Sequence, residues 1–116
     1  MTLAASYLGK QVSVVMDRPL DSRHPKHNFI YELNYWYIPN TVSGDWEELD
    51  AYILDVSEPL QTLEGLCIGY IHRINDDDDK LLVVKDMNKK RTKEEIMQLT
   101  HFQEQRFKSE IILKDD

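Results

Sequence analysis

The sequence predicts a mainly β fold, a small barrel of five or six strands with one C-terminal α-helix. Three observations carry that expectation. Short apolar or aromatic segments recur along the chain, each closed by Pro, Asn, Asp or Gly. No helical period shows until the last quarter. There, Thr92 opens a segment whose apolar residues return at helical spacing. With 116 residues the chain is near the commonest domain size, so one domain over residues 1–116 is expected.

The elements follow in order. Val12, Val14 and Met16 alternate with Ser13, Val15 and Asp17, which predicts a strand over Gln11–Met16 that stops before Pro19. Asp21–Asn28 reads as a polar loop carrying Arg23, His24, Lys26 and His27. Phe29–Leu33 and Tyr35–Ile38 are aromatic and favour strands, with Asn34 between them and Pro39-Asn40 after them. Leu49–Val56 is a further strand, closed by Pro59. Leu66–Ile74 is almost continuously apolar, the mark of a central strand. Asp76–Asp79 reads as a tight acidic turn, from which Lys80–Lys85 returns as a strand. Short strands with turns between them suggest a closed or nearly closed barrel. For the helix, Thr92 followed by Glu95 is a capping-box signature. Ile96, Leu99, Gln103, Phe107 and Ile111 fall on one stripe beside Phe102, predicting about five turns that cover one side of the barrel.

Composition excludes several functions. A net charge of −7 argues against nucleic acid, whose phosphates need stripes of Lys and Arg. The basic run Lys85–Lys93 reads as a solvated loop leading into the helix. No apolar run approaches the ~20 residues that span a bilayer, so no membrane partner is expected. The opening MTLAASYLGK lacks a charged start and a long apolar core, so no secretory signal is expected either. The lone Cys67, inside LCIGYI, reads as a buried small hydrophobe in a reducing, cytoplasmic setting. His24 and His27 flank Pro25 without a Cys or third His nearby, which fits a surface loop better than a soft-metal site.

Chemistry concentrates in Ser43–Leu54, SGDWEELDAYIL. Asp45, Glu47, Glu48 and Asp50 fall within six residues, and no Lys or Arg occurs between Lys26 and Arg73. The same want of cations argues against a base-stacking surface built on Trp36, Trp46 and the tyrosines. Acids packed so closely against a buried strand need a counter-charge, and a hard divalent cation supplies one. A turn leading into a strand can bring Asp45, Glu47 and Asp50 round one point, which a straight strand cannot. Asp76–Asp79 forms a second acidic group, and the two together suit Mg²⁺ in an oxygen shell shared with phosphate. Arg18, Lys80 and Tyr35 add two cations and a phenol donor. From spacing alone, two solvated turns are the favoured reading, because acidic turns are common.

At these residues the chain resembles a known family. DRPLDSRHPKH at 17–27, NYWYIP at 34–39, GDWEELDAYIL at 44–54, HRINDDDDK at 72–80 and HFQEQRFKSEI at 101–111 are similar to segments of the metal-dependent, soluble inorganic pyrophosphatases. Their fold is an OB-type barrel, and the likeness looks nearer to a short Gram-positive branch. The resemblance implies that Asp45, Asp50, Asp76 and Asp78 hold metal ions and that Glu47 helps deprotonate the attacking water. It further implies that Arg18 and Lys80 grip phosphates beside Tyr35. The implied function is Mg²⁺-dependent hydrolysis of inorganic pyrophosphate to two phosphates, by a cytoplasmic homo-oligomer.

The chain departs from the family pattern where Asp21, Trp36, Trp46 and Asp55 stand in place of glycines, and where Arg106 stands in place of an aromatic residue. An indole at 36 or 46 is expected either to fill the pocket or to bend the metal loop. The corresponding alternative is a non-catalytic, engineered or degenerate module of the same fold. Such a module would act in protein association, with Trp36 and Trp46 as apolar anchors.

Overall fold

Among the described residues, six strands and one helix make up the fold: β1 (Gln11–Arg18), β2 (Tyr35–Ile38), β3 (Leu49–Ile53), β4 (Thr62–Arg73), β5 (Asp78–Val84), α1 (Lys93–Glu104) and β6 (Ser109–Leu113). The computed structural model describes residues 4–18, 23, 30, 31, 35–39, 49–55, 61–74, 78–85, 92–105 and 107–113, with backbone alone at Asp17, Arg18 and Asp78. The sheet order is β1-β2-β3-β5-β4-β6, and β1 also pairs with β4. Five strands therefore close on themselves, and β6 adds to the outside of β4. All pairings are antiparallel except β3 with β5. This is the five-stranded Greek-key barrel of the OB type.

Strand alternation sorts the residues into two cores. Leu49, Ala51 and Ile53 of β3 join Leu81 and Val83 of β5 in the barrel lumen, together with Val14, Trp36 and Cys67. The alternate residues Tyr52, Leu54, Leu82 and Val84 face outward, where Ile96 and Phe102 of α1 cover them. β4 can pair with β1, β5 and β6 because it is long and changes register between Cys67 and Gly69. Gly69 is needed there, since a Cβ would lie 2.5 Å from the Ile112 carbonyl oxygen and 2.8 Å from Leu113 Cδ2. A short 3-10 turn, Ala4–Tyr7, leads into β1 through Gly9, whose φ of 78° suits glycine.

The expected strands appear with shifted ends, and Leu66–Ile74 lies at the centre of the sheet as its composition suggested. The Thr92–Glu95 capping box is present in both directions. Two expectations are corrected. The helix does not reach Ile111: it ends at Glu104, and Ile111 belongs to β6, opposite Ile71. Nor is Asp76–Asp79 wholly a turn, because Asp78 and Asp79 already pair with Arg73 and His72 in β5. The second half of that acidic run is ladder. Phe29–Leu33 lies outside the described residues except for Ile30, which bridges to Arg23, and the buried Tyr31. Residues 86–91 of the basic run lie outside them too.

Candidate functional site

Strand register assembles a row of polar residues from distant parts of the chain. Arg18 of β1 lies opposite Tyr35 of β2, after a bulge that follows Met16. Tyr35 lies opposite Tyr52 of β3, and Asp50, two residues earlier on the same face, lies opposite Lys80 of β5. The backbone of Asp78 follows two places before Lys80. Of the eight residues singled out in the sequence, five thus fall on four consecutive strands. Asp45, Glu47 and Asp76 lie outside the described residues, as does Trp46, and for Arg18 and Asp78 only the backbone position is described.

The side chains of Tyr35, Asp50 and Lys80 meet. The Tyr35 hydroxyl and Lys80 Nζ each donate to Asp50 Oδ2 at 2.8 Å. Lys80 is nearly closed to solvent, at 3% side-chain exposure, whereas Asp50 keeps 19%. The cluster is therefore held from beneath and open at the carboxylate. Lys80 Nζ also lies 5.8 Å from the Tyr35 ring centroid, within cation–π reach. Burial first, and then the charge of Asp50, hold the Tyr35 phenol well above its ordinary pKa, so it stays a donor at neutral pH. Part of the counter-charge demanded by the acidic stretch comes from the chain itself, as Lys80, across a parallel strand pair.

A hard divalent cation takes carboxylate oxygens, and Asp50 offers one. Both of its bonds fall on Oδ2, and none from the described residues falls on Oδ1, an oxygen of the hard kind such a cation takes. No three His, Cys, Asp or Glu side chains gather for a metal among the described residues. Trp36 does not fill this face. It projects into the lumen opposite Ala51, fully buried, with its indole N–H lacking a partner among the described residues. The expectations of Trp36 as a pocket-filling group or as an exposed anchor are both corrected. Period-two alternation turns its side chain away from that of Tyr35.

Sequence reasoning missed a second polar system. Glu104 of α1 accepts from Arg73 Nε at 2.9 Å, from Arg73 Nη2 at 2.6 Å and from the Tyr52 hydroxyl at 2.7 Å. Arg73 and Glu104 are only 5% and 7% exposed. Burial opposes the charge on Arg73, but the hydrogen bonds and charge of Glu104 outweigh it and raise the pKa. A signal existed in the helix period: Ile96, Thr100 and Glu104 are four apart, so the acid lies on the buried face. Beyond it, α1, β4 and β6 flank a groove of about 600 Å³ whose lining includes Ile74, Met97 and Phe107, but none of Tyr35, Asp50 and Lys80.

The fold and the cluster define an OB-type barrel with an acid, a lysine and a phenol on its outer sheet face. A family model described as inorganic pyrophosphatase matches residues 11–111, and the chain belongs to that family. Solved structures share the fold. An inorganic pyrophosphatase from Helicobacter pylori is 19% identical at a TM-score of 0.68, over 90% of this chain and 85% of its own. One from Neisseria gonorrhoeae is 23% identical at 0.64, over 81% and 72%. One from Thermus thermophilus is 16% identical at 0.59, over 90% and 83%. No curated protein matches the sequence significantly. These likenesses do not support the narrower resemblance to a Gram-positive branch.

Proposed function

We propose that the chain hydrolyses inorganic pyrophosphate to two phosphates with Mg²⁺, and that Asp45, Asp50, Asp76 and Asp78 supply the metal ligands. The observation that supports this most is the Tyr35–Asp50–Lys80 cluster on adjacent strands of a pyrophosphatase-family barrel. Bound Mg²⁺ would supply Lewis acidity and lower the pKa of the attacking water. Glu47 takes the proton of that water as its oxygen bonds to one phosphorus. The bridging P–O bond breaks, and the departing phosphate keeps the electron pair. Lys80 and Arg18 offset the charge gathering on the phosphate oxygens, and Tyr35 donates a hydrogen bond beside them. Lys80 also orients Asp50, because one Asp50 oxygen is already committed to it and to Tyr35.

The association-module reading loses an anchor, since Trp36 is enclosed in the lumen. The proposal extends to a cytoplasmic homo-oligomer, which light scattering after gel filtration tests. Activity is tested by phosphate release from pyrophosphate with Mg²⁺, with a chelator control. The parent protein should turn over, and Asp50→Asn and Lys80→Met should each lose roughly a hundredfold or more. Absence of turnover in the folded parent across Mg²⁺ concentrations refutes the reading.

A further inference from the structure

The Arg73–Glu104 pair lies under α1, one aromatic ring away from the candidate site. The guanidinium fork and the Tyr52 hydroxyl converge on Glu104, and Phe107 stacks on Arg73 with its centroid 3.9 Å from Cζ. A bidentate fork fixes the plane of a carboxylate, and the carboxylate here fixes the phenol that donates to it. The Tyr52 ring is fully buried and stands 5.2 Å from that of Tyr35, tilted by 57°. Tyr31 stacks on Tyr35 at 5.5 Å, and Phe102 meets both Tyr31 and Tyr52 edge-on. Among the described residues Tyr35 thus sits in an aromatic cage, whose Tyr52 wall is tied at its far end to Glu104.

A buried ion pair is a weak source of stability, because replacing both partners with apolar groups is often neutral or better. A fixed orientation is something apolar groups do not provide. We propose that Tyr52, anchored through its hydroxyl by the Arg73–Glu104 fork, is a positioning residue that sets the plane of the Tyr35 ring. It thereby sets where the Tyr35 hydroxyl meets Asp50. The consequence for turnover rests on the pyrophosphatase reading; the consequence for Tyr35 does not.

The test is Tyr52→Phe, which keeps the ring and cuts its tie to Glu104. Tyrosines labelled at Cζ with ¹³C report Tyr35 by NMR, assigned with Tyr35→Phe. In the parent the Tyr35 signal should be single and sharp at neutral pH. In Tyr52→Phe it should shift or broaden, with thermal unfolding still cooperative. If the parent is active, kcat should fall by roughly ten- to a hundredfold with KM for pyrophosphate within about twofold. Should Tyr52→Phe fail to fold, the pair Arg73→Met with Glu104→Leu removes both charges together, and the same Tyr35 change is expected there. A Tyr35 signal identical to the parent's in the folded variant overturns the proposal. A parent that does not hydrolyse pyrophosphate sinks the functional reading instead and leaves the NMR outcome decisive.

Discussion

Replacing Glu104 with Gln should cost more stability than removing Glu104 and Arg73 together. In Glu104→Gln the shape is kept and the charge is lost, so the Arg73 guanidinium stays buried at 5% exposure opposite a neutral amide. Breaking a buried pair on one side costs about 3–5 kcal/mol. Neither partner is open enough for solvent to reduce that cost, as both side chains are 7% exposed. For 116 residues, an unfolding entropy of about 2.1 cal/mol/K per residue gives about 0.24 kcal/mol/K, so Tm should fall by roughly 12–20 °C. The double variant Arg73→Met with Glu104→Leu leaves no stranded charge and should stay within about 2 kcal/mol of the parent. It does strand the Tyr52 hydroxyl, which accepts from Gln103 Nε2 but loses the acceptor for its own proton. Urea unfolding of the parent, Glu104→Gln, the singles Arg73→Met and Glu104→Leu, and the double completes the cycle. If Glu104→Gln is as stable as the parent, or the double falls as far as the worse single, the pair is not the buried, mutually dependent unit described here.

Three further outcomes follow. Burial, then the neighbouring carboxylate charge, raises the phenols of Tyr35 and Tyr52 well above 10 in the folded state. Their contribution to stability is full below about pH 10 and is lost as pH rises beyond it, because only the unfolded chain ionises there. Absorbance at 295 nm, compared with Tyr35→Phe and Tyr52→Phe, should show these two tyrosines ionising only as the protein unfolds. Gly69→Ala should destabilise by about 1–3 kcal/mol and selectively free the β6 amides to hydrogen exchange, since its Cβ would press on the Ile112 carbonyl. Burial pushes the Cys67 thiol up to about 11, so a thiol reagent at pH 8 should react with it only at the rate of unfolding.

The strands were legible because short apolar runs stop at local breakers: Val12 and Val14 share one side of a pleat, and the unbroken Leu81–Val84 run fits a strand covered on both faces. The helix start was legible from Thr92 and Glu95, whose mutual capping is local. Its end was not. Phe107 and Ile111 continue the helical spacing past Glu104, and neither Gly nor Pro marks the break. The pull on Ile111 comes instead from Ile71, forty residues back, through the β4–β6 ladder. The same limit applies to the site. Asp50, Lys80 and Tyr35 could be singled out by type, but their meeting depends on a parallel pairing that no local signal announces. Arg73, Tyr52 and Glu104 went unseen because each is ordinary alone. Trp36 was misread because bulk beside Tyr35 suggests an obstruction until the pleat is considered.

The parallel contact between β3 and β5 has a consequence for how the molecule matures. Asp50 and Lys80 come from segments that antiparallel neighbours could build separately, β1 to β3 on one side and β4 with β5 on the other. Neither half contains the ion pair. It forms only when the two halves zip together, and a slip of one residue at that seam would set Asp50 against Asp79 or Leu81 in place of Lys80. The acid–lysine contact is therefore a latch that certifies a finished barrel: a chain that collapses without sealing correctly has no place to work from.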